Sequence, residues 1–398
     1  MAPLIYVPKA YKLKAHMKRL VLTFVLFVSA VDGMPGAQSL PDAPAAKIDA
    51  IVADEQARQK IPGISIAVAF DNRIVYLKSF GQANLEHGVP AKPATAFRTA
   101  SVAKPLTAAA AMVLVEDGRL DLDAPVRSYC PAWPAKHPTI TTRQLLGHLA
   151  GVRHYAKPGE SSGKDHYFTI ADSLKLFAED PLLHPPGSKY FYSTYGFSVV
   201  ACAIEGASGQ SFEAFMRDRV FAKAKMTRTR LDRVFEIIPD RAAGYQMLTE
   251  ETFKRLPPAV SVFAKVGDVY NAVLHDTSMK VAGGGFVSTA EDLVNFGIAL
   301  DTGTLLKKST VEQMWTSQAT PDGKLTGYGL GFGVAPAVDG IRRLSHSGNQ
   351  AGAASAFAIV PEVGAVYAIL TNLEDADLAV ISRGITSALR EHYMRKHP

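Results

Sequence analysis

The chain has little cysteine, no long apolar run and no metal or phosphate signature. Cys130 and Cys202 are the only cysteines in 398 residues, too few for a disulfide framework. An exported protein could pair them, although Cys202, in the apolar run FSVVACAIEGASG, also reads as a small buried thiol. No His-Glu-x-x-His, paired-cysteine or calcium-loop pattern occurs, and no glycine-rich phosphate loop ending in Lys-Ser/Thr. Neither a metal nor another cofactor is therefore implied. Excess charge is missing too. The formal net charge is +6, but residues 1–37 carry Lys9, Lys12, Lys14, Lys18 and Arg19 against Asp32 alone. The remainder is close to neutral, which leaves no electrostatic footprint for nucleic acid.

The apolar run Leu20–Val31 is shorter than the roughly 17 residues needed to cross a bilayer. Preceded by Lys18-Arg19, it reads as the h-region of a signal peptide over residues 1–37, with Ser29-Ala30 or Gly36-Ala37 at the cleavage point and Met17 as an alternative start. Export, periplasmic or secreted, is the expectation, without a stable membrane span once the leader is removed. A retained N-terminal anchor is the alternative.

What is present is a 47% hydrophobic chain, able to bury a large core. A polar linker, SLPDAPAAK, precedes a helix over Ile48–Arg58. Two β runs around Asp71-Asn72 form a hairpin signal. Ser101–Gly118 reads as a helix closed by glycine. The middle of the chain is helix-rich, and several of its segments open on Ser or Thr and stop at Gly. From Tyr328 strands return (YGLGFGVA, IRRLSHSG, GAASAFAIVP, AVYAILTN), followed by a helix over roughly Ala376–Tyr393. The expected fold is α+β, an antiparallel sheet built from both ends of the chain and flanked by helices, with a helix-rich insert lobe. One domain over 45–398 would comprise a sheet lobe from about 45–118 and 325–398 and a helical lobe over about 119–324.

Serine hydroxyls are poor nucleophiles near neutral pH and need a base within hydrogen-bond reach. Ser101-Val102-Ala103-Lys104 offers one, because residues three apart share a helix face. A helix N-terminus at Ser101 would favour developing negative charge. About one such spacing arises by chance in a chain this long, and Ser161 to Lys164 is a second. The same stretch, Gly159-Glu160-Ser161-Ser162-Gly163, also fits the nucleophile elbow G-x-S-x-G. That motif requires a buried strand before it and a helix after it. Lys157–Tyr167 instead reads as an exposed polar loop, so Ser101 is preferred.

Ser101-x-x-Lys104, Tyr192-Ser193-Thr194 and His346-Ser347-Gly348, in this order, resemble the serine β-lactamase and penicillin-binding-protein superfamily, particularly its class C-like branch. GRLDLDAPV, LLGHLAGV, RAAGY, AGGGFVSTAEDL and YGLGFGV extend the likeness from about Ile48 to the C-terminus. Within the branch the chain looks most like the mitochondrial β-lactamase-like serine proteases, sharing GHLAGVRHY, PGS…YSTYG and AGGGFVST. The resemblance implies that Tyr192 acts with Lys104 as general base and then protonates the leaving group. It implies that His346 faces a substrate carboxylate or the tyrosine, and that the Ser101 and Asn349 N–H groups form an oxyanion hole, with Thr194, Ser347 and Gly348 lining the substrate site. Thr194 stands where class C β-lactamases have asparagine, which points away from efficient β-lactam turnover. His148, His154, His166 and His184 read as structural, and Gly283-Gly284-Gly285 as a tight turn. The expected function is a serine hydrolase acting on peptide, amide or ester bonds of a peptide or small-molecule substrate. A class C-like β-lactamase and a catalytically silent binding or scaffold protein are the alternatives.

Overall fold

Alternation along β1 (Gly63–Phe70) sets the architecture. Ile64, Ile66, Val68 and Phe70 enter one buried cluster, while Ala67 and Ala69 enter another on the opposite face, as the period of two demands. The computed structural model describes residues 40–396 apart from 158–159, 161–162, 255–257 and 339–340. The leader expected over residues 1–37, and Ser161 of the rival motif, lie outside the described residues.

The strands follow in chain order as β1, β2 (Arg73–Asn84), β3 (Val89–Pro90), β4 (Phe97–Arg98), β5 (Arg230–Leu231), β6 (Tyr245–Met247), β7 (Val269–Asn271), β8 (Phe286–Ser288), β9 (Gly333–Val338), β10 (Ile341–Gln350), β11 (Ala353–Val360) and β12 (Ala365–Thr371). Seven of them form one antiparallel sheet in the order β3-β2-β1-β12-β11-β10-β9. Pairing of β1 with β12, Ile64 opposite Thr371, joins the two ends of the chain. The hairpin turns through Asp71 and Asn72, both with positive φ (50° and 58°), the conformation that a two-residue turn between twisted strands requires.

One face of the sheet is covered by helices Asp42–Gln59 and Ala379–Lys396, whose Ile48, Val52, Ile381, Ile385 and Leu389 are buried there. The other face carries helices Ala103–Glu116, Thr194–Ser208 and Ala290–Asp301. Capping follows the sequence signals. Thr289 accepts from the Asp292 N–H, and Ser193 from the Gly196 N–H. Gly209, with φ 66°, ends the Thr194–Ser208 helix. Cys130 and Cys202 are disulfide-bonded, their Cα atoms 5.3 Å apart.

Some expectations need correction. The first helix begins at Asp42 inside the supposed linker, with Pro41 as its N-cap, a position where the missing N–H of proline removes no intrahelical bond. The strand expected from Tyr328 begins only at Gly333. The helix-rich middle also contains the short sheets β4-β8-β5 and β6-β7, whose two- and three-residue strands are too brief to show periodicity. Lys157–Tyr167 is not simply solvated. Glu160 is paired with Arg153 at 2.7 Å, and Arg153 reaches Asp180 at 2.6 Å.

Candidate active site

The turn into the Ala103–Glu116 helix places the nucleophile candidate. Thr99 is pinned by its N–H to the Phe286 carbonyl (2.9 Å), and its own carbonyl accepts from Ser355 Oγ (2.6 Å). Ala100 then takes φ 46°, a left-handed conformation that costs a non-glycine residue about 1 kcal/mol or more. A single 3-10 turn, Ala100–Val102, leads into the helix, so Ser101 sits just ahead of the α-helix proper. β10 passes immediately beside it. A Cβ on Gly348 would lie 2.7 Å from the Ser101 nitrogen and 2.5 Å from Ser355 Oγ, so only glycine admits the strand at this distance.

Lys104 is wholly buried. Its Nζ stands 3.0 Å from Ser101 Oγ, 3.2 Å from Thr194 Oγ1 and 2.7 Å from the Gly283 carbonyl. Burial, and next the positive charge of Lys280, hold its pKa well below the ordinary lysine range. A neutral amine has two N–H donors and one lone pair. The Gly283 carbonyl and Thr194 hydroxyl can take the two donors, leaving the lone pair for the Ser101 O–H. Gly283 is required for this arrangement, since a Cβ there would come within 2.6 Å of Thr194 Cγ2.

Tyr192 is half-buried, with its ring centroid 4.8 Å from Lys104 Nζ. Burial pushes its phenol up to about 12, against hydrogen bonding from Ser101 and Thr194. The two groups are pushed in opposite directions, the phenol toward keeping its proton and the amine toward losing one. Neighbouring groups pushed apart in this way can divide the base and acid roles at one pH.

His346 is held between the Ser347 carbonyl and the Tyr328 hydroxyl. Its Nδ1 donates to the Ser347 carbonyl at 2.6 Å, which leaves Nε2 to accept from the Tyr328 hydroxyl at 2.9 Å. Burial and the charge of Lys104 push its pKa down to about 3. The ring is neutral, so it offers no charge to a substrate carboxylate. Its centroid lies 6.2 Å from that of Tyr192, where it shapes the tyrosine's surroundings. The Asn349 side chain is tied to Asp375, while the residue borders both cavities of the cleft.

Two histidines read as structural belong to this site. His148, with φ 59°, has its ring 4.4 Å from that of Tyr192 and accepts the Ser193 N–H at Nδ1, 3.2 Å away. His154 accepts the Thr194 N–H at 3.2 Å and, with Tyr155, lines the pocket of Ser101. Burial, Lys104 and Lys280 push His154 down to about 4. Both histidines fall within the phrase GHLAGVRHY, so the signal was in the sequence, but an isolated histidine is more often structural. Gly283, Lys280, Gln350 and Tyr328 were also missed as site residues. The glycine run alone gave a hint.

Comparisons with known proteins bear on the family and the fold. A family model described as Beta-lactamase matches residues 48–389. The mouse (Mus musculus) "Serine beta-lactamase-like protein LACTB, mitochondrial" is 28% identical over 400 residues, covering 76% of this chain and 70% of that protein. The "Putative penicillin-binding protein PbpX" of Bacillus subtilis (strain 168) is 30% identical over 266 residues, covering 67% of this chain and 60% of its own length. Among solved structures, the octameric penicillin-binding protein homologue from Pyrococcus abyssi superposes with a TM-score of 0.70 at 25% identity, covering 86% of this chain and 77% of that one.

Proposed function

The chain belongs to the Beta-lactamase family and is a serine hydrolase, and on that premise we propose that Ser101 carries an acyl-enzyme intermediate formed from an amide, peptide or ester substrate. The observation that carries this reading is the 3.0 Å contact between Ser101 Oγ and the buried, desolvated amine of Lys104. Ser101 Oγ attacks the carbonyl carbon while its proton passes to Lys104 Nζ. The carbonyl oxygen becomes an oxyanion beside the Ser101 and Asn349 N–H groups. When the bond to the leaving group breaks, Tyr192 gives that group its proton and regains one from the Lys104 ammonium. Water then attacks the acyl carbon, its proton is drawn into the same pair, and the Ser101 oxygen leaves as a hydroxyl. Gly348 admits β10 to the nucleophile, and Thr194, His346 and Ser347 shape the substrate's surroundings.

Residues 1–37 fit this proposal as an export leader, and the Cys130–Cys202 disulfide suits an oxidising compartment. Among the described residues no helix is long and apolar enough to cross a membrane. The test is covalent labelling by a fluorophosphonate or penicillin probe, read by intact-protein mass spectrometry. Ser101→Ala is expected to abolish the adduct, and an adduct retained on that variant would assign the nucleophile elsewhere.

A further inference from the structure

A second lysine enters the pocket of Ser101. Lys280 ends the short turn Ser278–Lys280 and is 6% exposed. Its stem runs beside the nucleophile's turn: a Cβ on Gly284 would meet Lys280 Cδ and the carbonyl carbon of Ala100, both at 3.6 Å. The ammonium lies 5.9 Å from the Tyr155 ring centroid, on the wall of a pocket of about 230 Å³ that Ser101, His154 and Gln350 also line. Among the described residues it has no hydrogen-bond acceptor and no ion-pair partner. Asp232 is taken by Arg98 (2.8 Å) and Arg241 (2.6 Å), and Glu374 accepts from the Gly352 N–H (3.3 Å). Gln350, at the end of β10, is 7% exposed, and neither its Oε1 nor its Nε2 has a partner.

A buried ammonium and a buried carboxamide left unpaired are costly, and native structures rarely keep such groups without a ligand or water to satisfy them. A carboxylate would accept from both Lys280 Nζ and Gln350 Nε2. A dianion such as a phosphate would be neutralised less well, because Arg98 is already engaged. The pocket's position fixes which part of the substrate it meets. Ser101 lines it, but does not line the larger cavity of about 820 Å³ along β10, and Tyr192 and Asn349 border both. The acyl group stays on Ser101 after bond cleavage, so it occupies the small pocket, and the leaving group departs past Tyr192.

We propose that Lys280 and Gln350 form an acyl-side subsite for a carboxylate, selecting esters or amides of short dicarboxylic acids. The inference rests on the acyl-enzyme reading of Ser101. Burial, and next Arg98, push Lys280 down to about 7, against Asp232 and Glu374. Lys104 and His154 face it as well. The preference for a carboxylate therefore weakens as pH rises past about 7.

The test compares kcat/KM for mono-4-nitrophenyl glutarate with that for 4-nitrophenyl pentanoate, after subtraction of spontaneous hydrolysis. The wild type is expected to favour the charged ester, less so at pH 8.5 than at pH 6. Lys280→Met is expected to lower the ratio of the two by about 10- to 100-fold, and Gln350→Leu by less. A wild-type ratio of one or below, or a ratio unmoved by Lys280→Met, overturns the subsite. If that variant does not fold, the wild-type ratio and its pH dependence decide. Calorimetric binding of glutarate, against its diamide, to the Ser101→Ala protein separates the two readings. Glutarate bound without fluorophosphonate labelling of the wild type sinks the nucleophile alone. Labelling without glutarate binding sinks the subsite alone.

Discussion

Lys104 and Lys280 are buried in the same cleft, and their surroundings differ in kind. Lys104 meets three polar atoms of its own chain within 3.2 Å; Lys280 lies beside an aromatic face and an unpaired carboxamide. Burial lowers both, yet the outcomes diverge. The first amine is surrounded by the acceptors and the donor that its neutral form requires, which makes it a base. The second sits near the middle of its titration at neutral pH, charged in part and without a counter-ion. A desolvated lysine is thus not in itself a catalytic one. The groups within reach of the nitrogen decide what it does.

Removing the base is expected to have the largest effect. Lys104→Met should lower kcat/KM for any turned-over ester by about 10³-fold or more, since a positioned general base contributes 10²–10⁴. Stopped-flow acylation and steady-state rates should fall together, and a loss below tenfold would place the base elsewhere. Tyr192→Phe should cost about 10²-fold. The loss should be heavier for an anilide, whose amine must be protonated to leave, than for a nitrophenyl ester with a good leaving group. An equal loss for both would remove the acid role from Tyr192. Gly283→Ala is expected to have a smaller effect, roughly tenfold. Its Cβ would fall 2.6 Å from Thr194 Cγ2, and the displaced carbonyl would no longer hold the lysine. A shift of the acidic limb of the pH–rate profile would show it, because the profile reports the amine that must be neutral. Wild-type rates should fall as pH drops through the lowered pKa of Lys104 and show no loss from Tyr192 ionisation until pH approaches about 12.

The contrast between the lysines also shows what the sequence could reveal. The sheet was legible because Ile64, Ile66, Val68 and Phe70 alternate with small residues, and Asp71-Asn72 is a strong turn signal. Lys104 was legible because helical spacing ties it to Ser101 locally. Lys280 was not, since it reaches the cleft through a tertiary approach 176 positions away from Lys104, and a lysine before a glycine run carries no periodicity. Gly283 could be placed in a turn, but that its carbonyl meets Lys104 depends on how two distant segments pack. His346 shows the reverse difficulty. Its motif position was legible, while its neutral state depends on Tyr328 and on burial.

The smallest expected effect concerns stability and tests whether Lys280 is truly unsatisfied. An unfolded lysine titrates near 10.4, whereas in the folded chain Lys280 titrates at about 7. Between those values the unfolded chain binds a proton that the folded chain does not, so unfolding is favoured more as pH falls. The penalty is absent well above pH 10, grows as pH drops, and is complete below about 7. Lys280→Met removes it while keeping the apolar stem. The variant should therefore be more stable than the wild type at pH 7, by about 1–3 kcal/mol once relaxation and water entry are allowed for, and the difference should shrink toward pH 10. Chemical denaturation at pH 6, 7, 8.5 and 10 reads it directly. A variant less stable than the wild type at pH 7 would mean that the ammonium has a favourable partner within the fold, and a lysine already satisfied would have no call on a substrate carboxylate.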